Sequence, residues 1–335
     1  MLDPAPAAEL PAIPTLEVGC DFPMATLLAD EANARALLDR ALGHVPPAAV
    51  RVLDGISRRW LARTGNAQLA EIDAIARHIN RPGAHFMSVN YEWGCTVRVG
   101  PSPDGRTARL SRTLDWMTRG LGRYIIAARV ECRAGPFVAL TWPGYPGVLQ
   151  AMALGRFSAA LNQAPMRHLG GGIYPLDWAV NRARVWRMPH PMPAQLLRRV
   201  FAAATTFDQA RAILASEKIA APAIFSLAGV TAEQTCVIER TEDDAHIIDG
   251  ASCVGNHWQA PAWGGRARGL DSHGRTASMR KIGAVELDPA FPWLRAPILN
   301  KMTRLVMVAD AALCRLVAQG YEDQRPATQP LVWRG

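Results

Sequence analysis

Apolar residues recur at helical spacing over the first quarter of the chain. Leu27, Ala34, Leu38 and Leu42 follow one another at seven- and four-residue intervals, and a second apolar run extends from residue 50 to residue 61. Side chains spaced in this way share one face of a helix. The pattern therefore predicts amphipathic helices between about residue 25 and residue 80.

From about residue 86 the pattern changes to short apolar runs separated by Gly, Pro and Asp, which is typical of strands. Helical spacing returns further on, and Thr206 with Gln209 forms a capping-box start for one helix. Blocks of helices and strands of this kind favour a layered α+β fold over alternating βαβ units. The predicted strands are 95–99, 109–114, 124–132, 136–142, 157–161, 223–230, 235–240 and 246–248, and the later helices are 176–186, 193–204 and 208–218.

The composition is that of a folded protein with a large core, because 49% of the 335 residues are hydrophobic. No apolar run reaches the roughly 18 residues needed to cross a bilayer. The N-terminus has no basic, then apolar, secretory signal, so we expect a cytoplasmic protein. The six cysteines form no CxxC pair, so we expect buried thiols and neither a zinc site nor a compact disulfide framework.

The formal charge of +8 raises the question of an acidic partner, either nucleic acid or an anionic membrane surface. The arginines are dispersed, however, and no recognition motif of a nucleic-acid-binding fold accompanies them. We therefore expect no nucleic-acid partner and interpret the charge first as a solvated basic surface. Peripheral contact with an anionic membrane stays open as an alternative.

Candidate chemistry centres on Cys95, at the start of a predicted strand, because GxSxG, HExxH, Walker and GxGxxG motifs are all absent. Arg112 and Asp115 follow after a turn at residues 100–105, and an antiparallel hairpin brings them back beside the cysteine. A guanidinium favours the thiolate, and a carboxylate can hold an ammonium group. No histidine has the spacing of a base, but an α-amine freed at Cys95 would have a pKa of about 7.7–8.0.

This constellation resembles the start of the β-subunits of acid ceramidase and N-acylethanolamine acid amidase, within the wider choloylglycine hydrolase family. The resemblance extends over roughly residues 15–310 in the family's order. It includes a helical region ahead of Cys95. The matching segments are GYPGVL at 144–149, GRFSAALN at 155–162, FDQARAIL at 207–214, CVIER at 236–240, NHW at 256–258, DSHGRT at 271–276 and PILNKMT at 297–303.

The resemblance implies the four-layer αββα fold of N-terminal nucleophile hydrolases and activation by self-cleavage. Cleavage between Gly94 and Cys95 would leave a helical α-chain of residues 1–94 and a β-chain of residues 95–335, which stay associated. Cys95 would then carry both the nucleophilic thiol and the α-amine that serves as its base. No metal and no cofactor are expected.

The resemblance also implies roles for the other site residues. Arg112 supports the thiolate, Asp115 orients the α-amine, and Arg275 organises the site. Asn256 supplies a side-chain donor to the oxyanion, and a backbone N–H near Asn162 supplies the second donor. Gly274 replaces the first arginine of the family's RRT segment, and the segment around Asn256 is shortened.

An N-acyl lipid, such as a ceramide or an N-acylethanolamine, is the substrate that the resemblance implies. Trp116, Trp142 and Met152 are candidates for lining an apolar acyl pocket. Gln163 is a further candidate for substrate contact, and it stands where ceramidases carry a glutamate.

Other functions stay open from the sequence alone. The chain is alternatively an unprocessed homologue that binds lipid or protein without catalysis, and a basic nucleic-acid-binding protein is a weaker third reading. Within the enzyme class, an acylase or acyltransferase of the penicillin or bile-salt type uses the same nucleophile.

Overall fold

Two β-sheets lie face to face at the centre of the computed structural model, which describes residues 10–89 and 92–335. The helices of these residues are α1 (Phe22–Ala29), α2 (Glu31–Leu42), α3 (Pro47–Arg63), α4 (Leu69–Ile79), α5 (Ala84–Val89), α6 (Tyr174–Val185), α7 (Pro193–Ala203), α8 (Phe207–Ser216) and α9 (Ser272–Ile282). The strands are β1 (Thr15–Val18), β2 (Trp93–Pro101), β3 (Ala108–Trp116), β4 (Ile126–Val130), β5 (Phe137–Thr141), β6 (Gln150–Ala153), β7 (Phe157–Gln163), β8 (Ala223–Ala228), β9 (Thr235–Arg240), β10 (Ala245–Asp249), β11 (Ser252–Val254), β12 (Thr303–Asp310), β13 (Arg315–Glu322), β14 (Arg325–Pro326) and β15 (Leu331–Arg334).

The two sheets differ in how their strands are ordered. Sheet 1 has the order β1-β4-β5-β6-β7-β8-β9-β10, and its strands are antiparallel except that β1 runs parallel to β4. Sheet 2 has the order β11-β2-β3-β12-β13-β14, with β15 also paired to β13. The strand β2, which contains Cys95, therefore has a hydrogen-bonded neighbour on each side.

Helices cover the outer face of each sheet. The helices α7 and α8 pack on sheet 1, and α9 packs on β2 and β11 of sheet 2. Strands covered on both faces are buried along their whole length, as β8 and β12 are. The predicted αββα layering and the α+β class are thereby confirmed.

Residues 10–89 add a helical cluster beside these layers. The helix α1 contacts β4, and α3, α4 and α5 pack on one another. The segment is not purely helical, because β1 joins sheet 1, which belongs otherwise to the later part of the chain. The division into residues 1–94 and 95–335 stays a prediction.

The cysteines differ in part from the expectation of buried thiols. Cys95, Cys236 and Cys253 are buried and free, whereas Cys20 and Cys132 form a disulfide with a Cα–Cα distance of 5.8 Å. The two bonded residues are 112 positions apart, just beyond β1 and β4, so their spacing in the sequence gave no sign of the pairing.

The predicted hairpin is confirmed, with β2 and β3 paired from Trp93 opposite Trp116 to Pro101 opposite Ala108. Residues 90 and 91, which open the Cys95 segment, lie outside the described residues, as do residues 1–9 of the Pro/Ala-rich arm. The helix α9 and the strands β12 and β13 were not predicted. A search of the described residues finds no helix long and apolar enough to cross a membrane.

A charge cluster around the buried His85 holds α5 against α3 and α4. The His85 Nε2 atom lies 2.8 Å from Asp73 and its Nδ1 atom lies 3.2 Å from Asp54. Arg58 also bonds Asp73, at 2.7 Å, and the Phe86 backbone N–H donates to Asp54. Burial lowers the pKa of His85, but the hydrogen bonds to the two carboxylates outweigh burial and raise it.

We predict that this cluster makes stability depend on pH. A histidine whose pKa is raised by folding stabilises the protein fully below its ordinary pKa of about 6.5, and this contribution is lost as pH rises through the folded value. His85→Gln should therefore lower the melting temperature by about 2–4 °C more at pH 5.5 than at pH 8.5. Calorimetry at both pH values checks this. The exposed His78 of α4 provides the control, since His78→Gln should show a smaller difference; equal losses for His85→Gln at both pH values would contradict the prediction.

Candidate active site

The β2–β3 hairpin places Arg112 against the Cys95 thiol. Cys95 lies opposite Leu114, and because side chains alternate along a strand, Arg112 shares the inner face of sheet 2 with both. Its Nη2 atom lies 2.9 Å from Cys95 Sγ and donates to the Leu161 carbonyl of β7 at 2.8 Å. Its Nη1 atom donates to the Leu149 carbonyl. The guanidinium is thus fixed between the two sheets.

The electrostatics of this site keep the thiol protonated in the uncut chain. Burial raises the pKa of Cys95, and the Asp115 carboxylate adds to this, while Arg112 and Arg275 lower it. The balance raises the pKa to about 11. Because only the thiolate is strongly nucleophilic, the chemistry of Cys95 needs a base as well as Arg112.

Asp115 lies on the opposite, outer face of sheet 2, beside the peptide that precedes Cys95. It is paired with Gly94 in the strand register. Its carboxylate accepts hydrogen bonds from Asn300 Nδ2 and Thr303 Oγ1, both at 2.9 Å, and lies 3.5 Å from Arg275 Nη1. This position next to the backbone of residue 95 suits a carboxylate that orients an α-amine.

Arg275 reaches the same place from α9. Its Nη2 atom donates to the Cys95 carbonyl at 3.2 Å and to Asn256 Oδ1 at 3.0 Å, and its Nε atom donates to Thr96 Oγ1 at 2.9 Å. The side chain is fully buried. Arg275 therefore fixes the backbone of Cys95 rather than its thiol.

The site needs glycine at the residue before Cys95. A Cβ atom added to Gly94 would lie 3.1 Å from the Gly269 Cα atom, and one added to Gly269 would lie 3.0 Å from the Gly94 Cα atom. Gly269 also has a φ of 70°, which favours glycine. Two backbone segments therefore pack closely at the Gly94–Cys95 bond, where an added side chain would press against backbone atoms.

Asn256, Asn162 and Gln163 form a hydrogen-bonded group on the other side of Cys95. The Asn256 Oδ1 atom accepts from the Cys95 backbone N–H at 2.7 Å, and its Nδ2 atom donates to the Gln163 carbonyl at 2.8 Å. Asn162 Nδ2 donates to the Gly255 carbonyl at 2.9 Å. In the uncut chain Asn256 thus presents its oxygen to Cys95, and its role as an oxyanion donor stays a prediction.

The Gln163 side chain contacts the segment that leads into Cys95. Its Oε1 atom accepts from the Trp93 backbone N–H at 2.9 Å. Gln163 therefore lies at the end of β7 beside the N-terminal side of the Gly94–Cys95 bond, and not in an apolar pocket.

An apolar groove begins beside this site. Trp116 and Trp142 line it, with ring centroids 6.1 Å apart, and Trp93 lies 5.1 Å from Trp116. The helices α2, α4 and α5 supply much of the remaining lining. Met152 is fully buried in β6 and is not part of the lining, so its predicted role in binding gains no support.

Several residues of the site were not singled out from the sequence. Thr96, Ser272, Asn300 and Thr303 each hold a site residue by a side-chain hydrogen bond. Three of them fall within the DSHGRT and PILNKMT segments, so the resemblance marked the segments without giving these residues a role. The alternation of β2 would have placed Thr96 on the face that Asp115 occupies.

Sequence comparison connects the chain to acid ceramidases. It is 32% identical to the acid ceramidase of Heterocephalus glaber and 31% identical to that of Homo sapiens, in each case over 109 residues, which are 32% of this chain. The match spans about a quarter of the relatives' length, 26% in both cases. No protein-family model matches the chain.

Comparison of structures gives the fold. The Caenorhabditis elegans ortholog of N-acylethanolamine-hydrolyzing acid amidase aligns over 71% of this chain and 100% of its own, with a TM-score of 0.52 and 18% identity. This likeness shows that the chain has the fold of the N-terminal nucleophile hydrolases. The partial sequence match and the shared fold support the resemblance that the motifs around Cys95 indicated. The strand β2, which contains Cys95, is internal to sheet 2 of this fold.

We predict that the Thr303 hydroxyl stabilises the Asp115 carboxylate. Thr303→Val keeps the shape of the side chain but removes a buried donor, so the free energy of unfolding should fall by about 1–3 kcal/mol in urea denaturation. Thr113→Val on β3 is a matched control, because the buried Thr113 hydroxyl makes no hydrogen bond. That variant should be neutral or more stable; equal losses at both positions would show that the Asp115 contact contributes nothing specific.

Proposed function

We propose that the chain is a self-cleaving amidase that hydrolyses N-acyl lipid amides through an acyl thioester on Cys95. The observation that carries the proposal is the 2.9 Å contact between Arg112 Nη2 and Cys95 Sγ. The backbone N–H and carbonyl of the same cysteine are bonded to Asn256 and Arg275. A protein that only binds lipid has no chemical reason to arrange three buried polar side chains around one cysteine.

The relatives' names support the same class of reaction. Acid ceramidases and an N-acylethanolamine-hydrolyzing acid amidase are proteins named for acting on N-acyl compounds. Because the sequence match spans only about a quarter of the ceramidases, both the activity and the substrate are proposals for this chain.

Self-cleavage is the first step of the proposed mechanism. The Cys95 sulfur attacks the Gly94 carbonyl carbon as its proton passes toward the nitrogen of the same peptide bond, while Arg112 stabilises the negative charge on the sulfur. The C–N bond between Gly94 and Cys95 breaks, the nitrogen takes up the proton that left the thiol, and a thioester joins Gly94 to the sulfur. Water hydrolyses the thioester, which gives the Gly94 carboxylate and restores the thiol beside a free α-amine.

Substrate hydrolysis then uses the new α-amine as the base. It accepts the thiol proton, held in place by Asp115, and the thiolate attacks the amide carbon of the substrate. The tetrahedral intermediate expels the amine of the substrate, which takes that proton from the Cys95 α-amine. The acyl group stays on Cys95 as a thioester. Water attacks this thioester with the α-amine again as base, releasing the fatty acid.

The apolar groove supports N-acyl lipid amides as the class of substrate. Its lining is apolar, and it begins at Trp116, which shares the inner face of sheet 2 with Cys95. We place the acyl chain there. The two chains stay associated in this proposal, because α2, α4 and α5 supply much of the groove.

We predict that the purified wild type separates into fragments of residues 1–94 and 95–335, whereas Cys95→Ala stays whole. Removing the sulfur removes the only nucleophile of the cleavage step. Reducing, denaturing electrophoresis with intact mass, after incubation at pH values from about 4 to 8, checks this.

The control is Cys253→Ala, which removes a second buried thiol from the neighbouring strand β11. It should cleave as the wild type does. A wild type that stays whole at every pH would remove the α-amine base and favour the non-catalytic lipid-binding alternative.

We predict that narrowing the groove discriminates between substrates by acyl length. Ala84 of α5 lines the groove, and Ala84→Leu should raise KM for long-chain N-acyl amides about tenfold while kcat/KM for short-chain amides stays close to that of the wild type. The measurement is steady-state hydrolysis of fluorogenic N-acyl amides that differ in chain length.

Ala48→Leu is the matched control, since Ala48 is exposed on α3 away from the groove. Its kinetics should equal those of the wild type. If Ala84→Leu slowed long and short substrates equally, the acyl chain would not lie in this groove.

A further inference from the structure

Glu239 is a fully buried carboxylate that serves two backbone N–H groups. It lies in β9 of sheet 1. Its Oε1 atom accepts from the Gln259 N–H at 2.7 Å and its Oε2 atom accepts from the Ala260 N–H at 2.8 Å. His246 lies opposite it on β10.

This carboxylate is costly to bury. Burial raises the pKa of Glu239, and the hydrogen bonds from Gln259 and Ala260 only partly offset that effect. An apolar side chain at the same place would avoid the cost of burying a charge. The role of the Glu239 carboxylate therefore lies in the backbone segment to which it is hydrogen-bonded.

Glu239 holds the segment of residues 255–260, which we call the Asn256 loop. Near its start, the loop is fixed by Asn162 Nδ2, which donates to the Gly255 carbonyl, and by Ser272 Oγ, which accepts from the Asn256 N–H at 2.7 Å. The Asn256 carbonyl also accepts from the Arg268 N–H at 3.1 Å. The two hydrogen bonds that Glu239 accepts from the Gln259 and Ala260 N–H groups fix the other end of the loop.

The anchors come from different layers of the fold. Ser272 belongs to α9, outside sheet 2, whereas Glu239 belongs to sheet 1. The loop therefore spans between the layers, and Asn256 points from it to the Cys95 N–H. A shift at either end would move the Asn256 oxygen away from residue 95.

We propose that Glu239 is a positioning residue, which holds the Asn256 loop so that Asn256 stays in contact with the backbone of Cys95. The proposal rests on the proposed function, since it assigns Glu239 to the same site. Misplacement of a reacting group by about 1 Å costs up to about a hundredfold in rate, so an anchor that acts only through backbone atoms affects catalysis.

The test is Glu239→Gln, which keeps the size of the side chain. An amide has one acceptor oxygen and one donor group, so either the Gln259 or the Ala260 N–H then faces another donor. We expect self-cleavage to slow about tenfold. In the processed enzyme we expect kcat to fall by a similar factor with KM unchanged, because the groove is untouched.

Glu242→Gln is the matched control. Glu242 is also buried, three residues further along, but its partners are the side chains of Arg167 and Arg184 rather than the loop. The Glu242→Gln substitution should destabilise the protein without slowing self-cleavage. Hydrogen exchange of the loop peptide in both variants adds a readout independent of catalysis, with faster exchange expected for Glu239→Gln only.

The outcomes distinguish the positioning role of Glu239 from the proposed amidase function. A folded Glu239→Gln variant with a loosened loop that cleaves at the wild-type rate overturns the positioning role and leaves the proposed function standing. A wild type that never cleaves overturns the proposed function and, with it, any role of Glu239 in catalysis. If Glu239→Gln does not fold, Glu239→Asp keeps the charge but shortens the reach, and the same comparison decides.

Discussion

The contact between Arg112 and a thiol that is sealed from water sets the requirements for the rest of the site. The pKa of Cys95 is raised to about 11, so one guanidinium does not compensate for the loss of solvent. Removal of the thiol proton therefore needs a base. Among the described residues, a backbone carbonyl, rather than an imidazole or a carboxylate, contacts the sulfur and Arg112. In the proposed mechanism the base for substrate hydrolysis is made by cutting the chain.

The alternation of side chains along β2 and β3 separates two kinds of chemistry on opposite faces of one sheet. The inner face carries the sulfur and Arg112. The outer face carries Asp115, approached by Arg275 from α9. The thiol and the future amine belong to the same residue, and the two faces are coupled, since Asp115 and Arg275 on the outer face also act on the pKa of the Cys95 thiol.

Much of the site followed from local pattern, because a hairpin is a short-range structure. The turn at 100–105 fixed the register that brings Arg112 and Asp115 to Cys95, and the motifs led to the correct fold. The helix α9 was missed because Gly274 and polar residues give it little helical signal, although Asp271 caps it. The disulfide, the anchoring by Glu239 and the burial of Met152 depend on contacts between residues far apart in the sequence, which periodicity does not encode.

The disulfide between Cys20 and Cys132 has a consequence for the proposed cut at residue 94. One partner precedes the cut and the other follows it, and β1 is hydrogen-bonded to β4 next to the same bond. The two products of cleavage would therefore remain a single covalent molecule. Their contacts would form at the high effective concentration of an intramolecular reaction, so dilution would not separate the groove from the nucleophile.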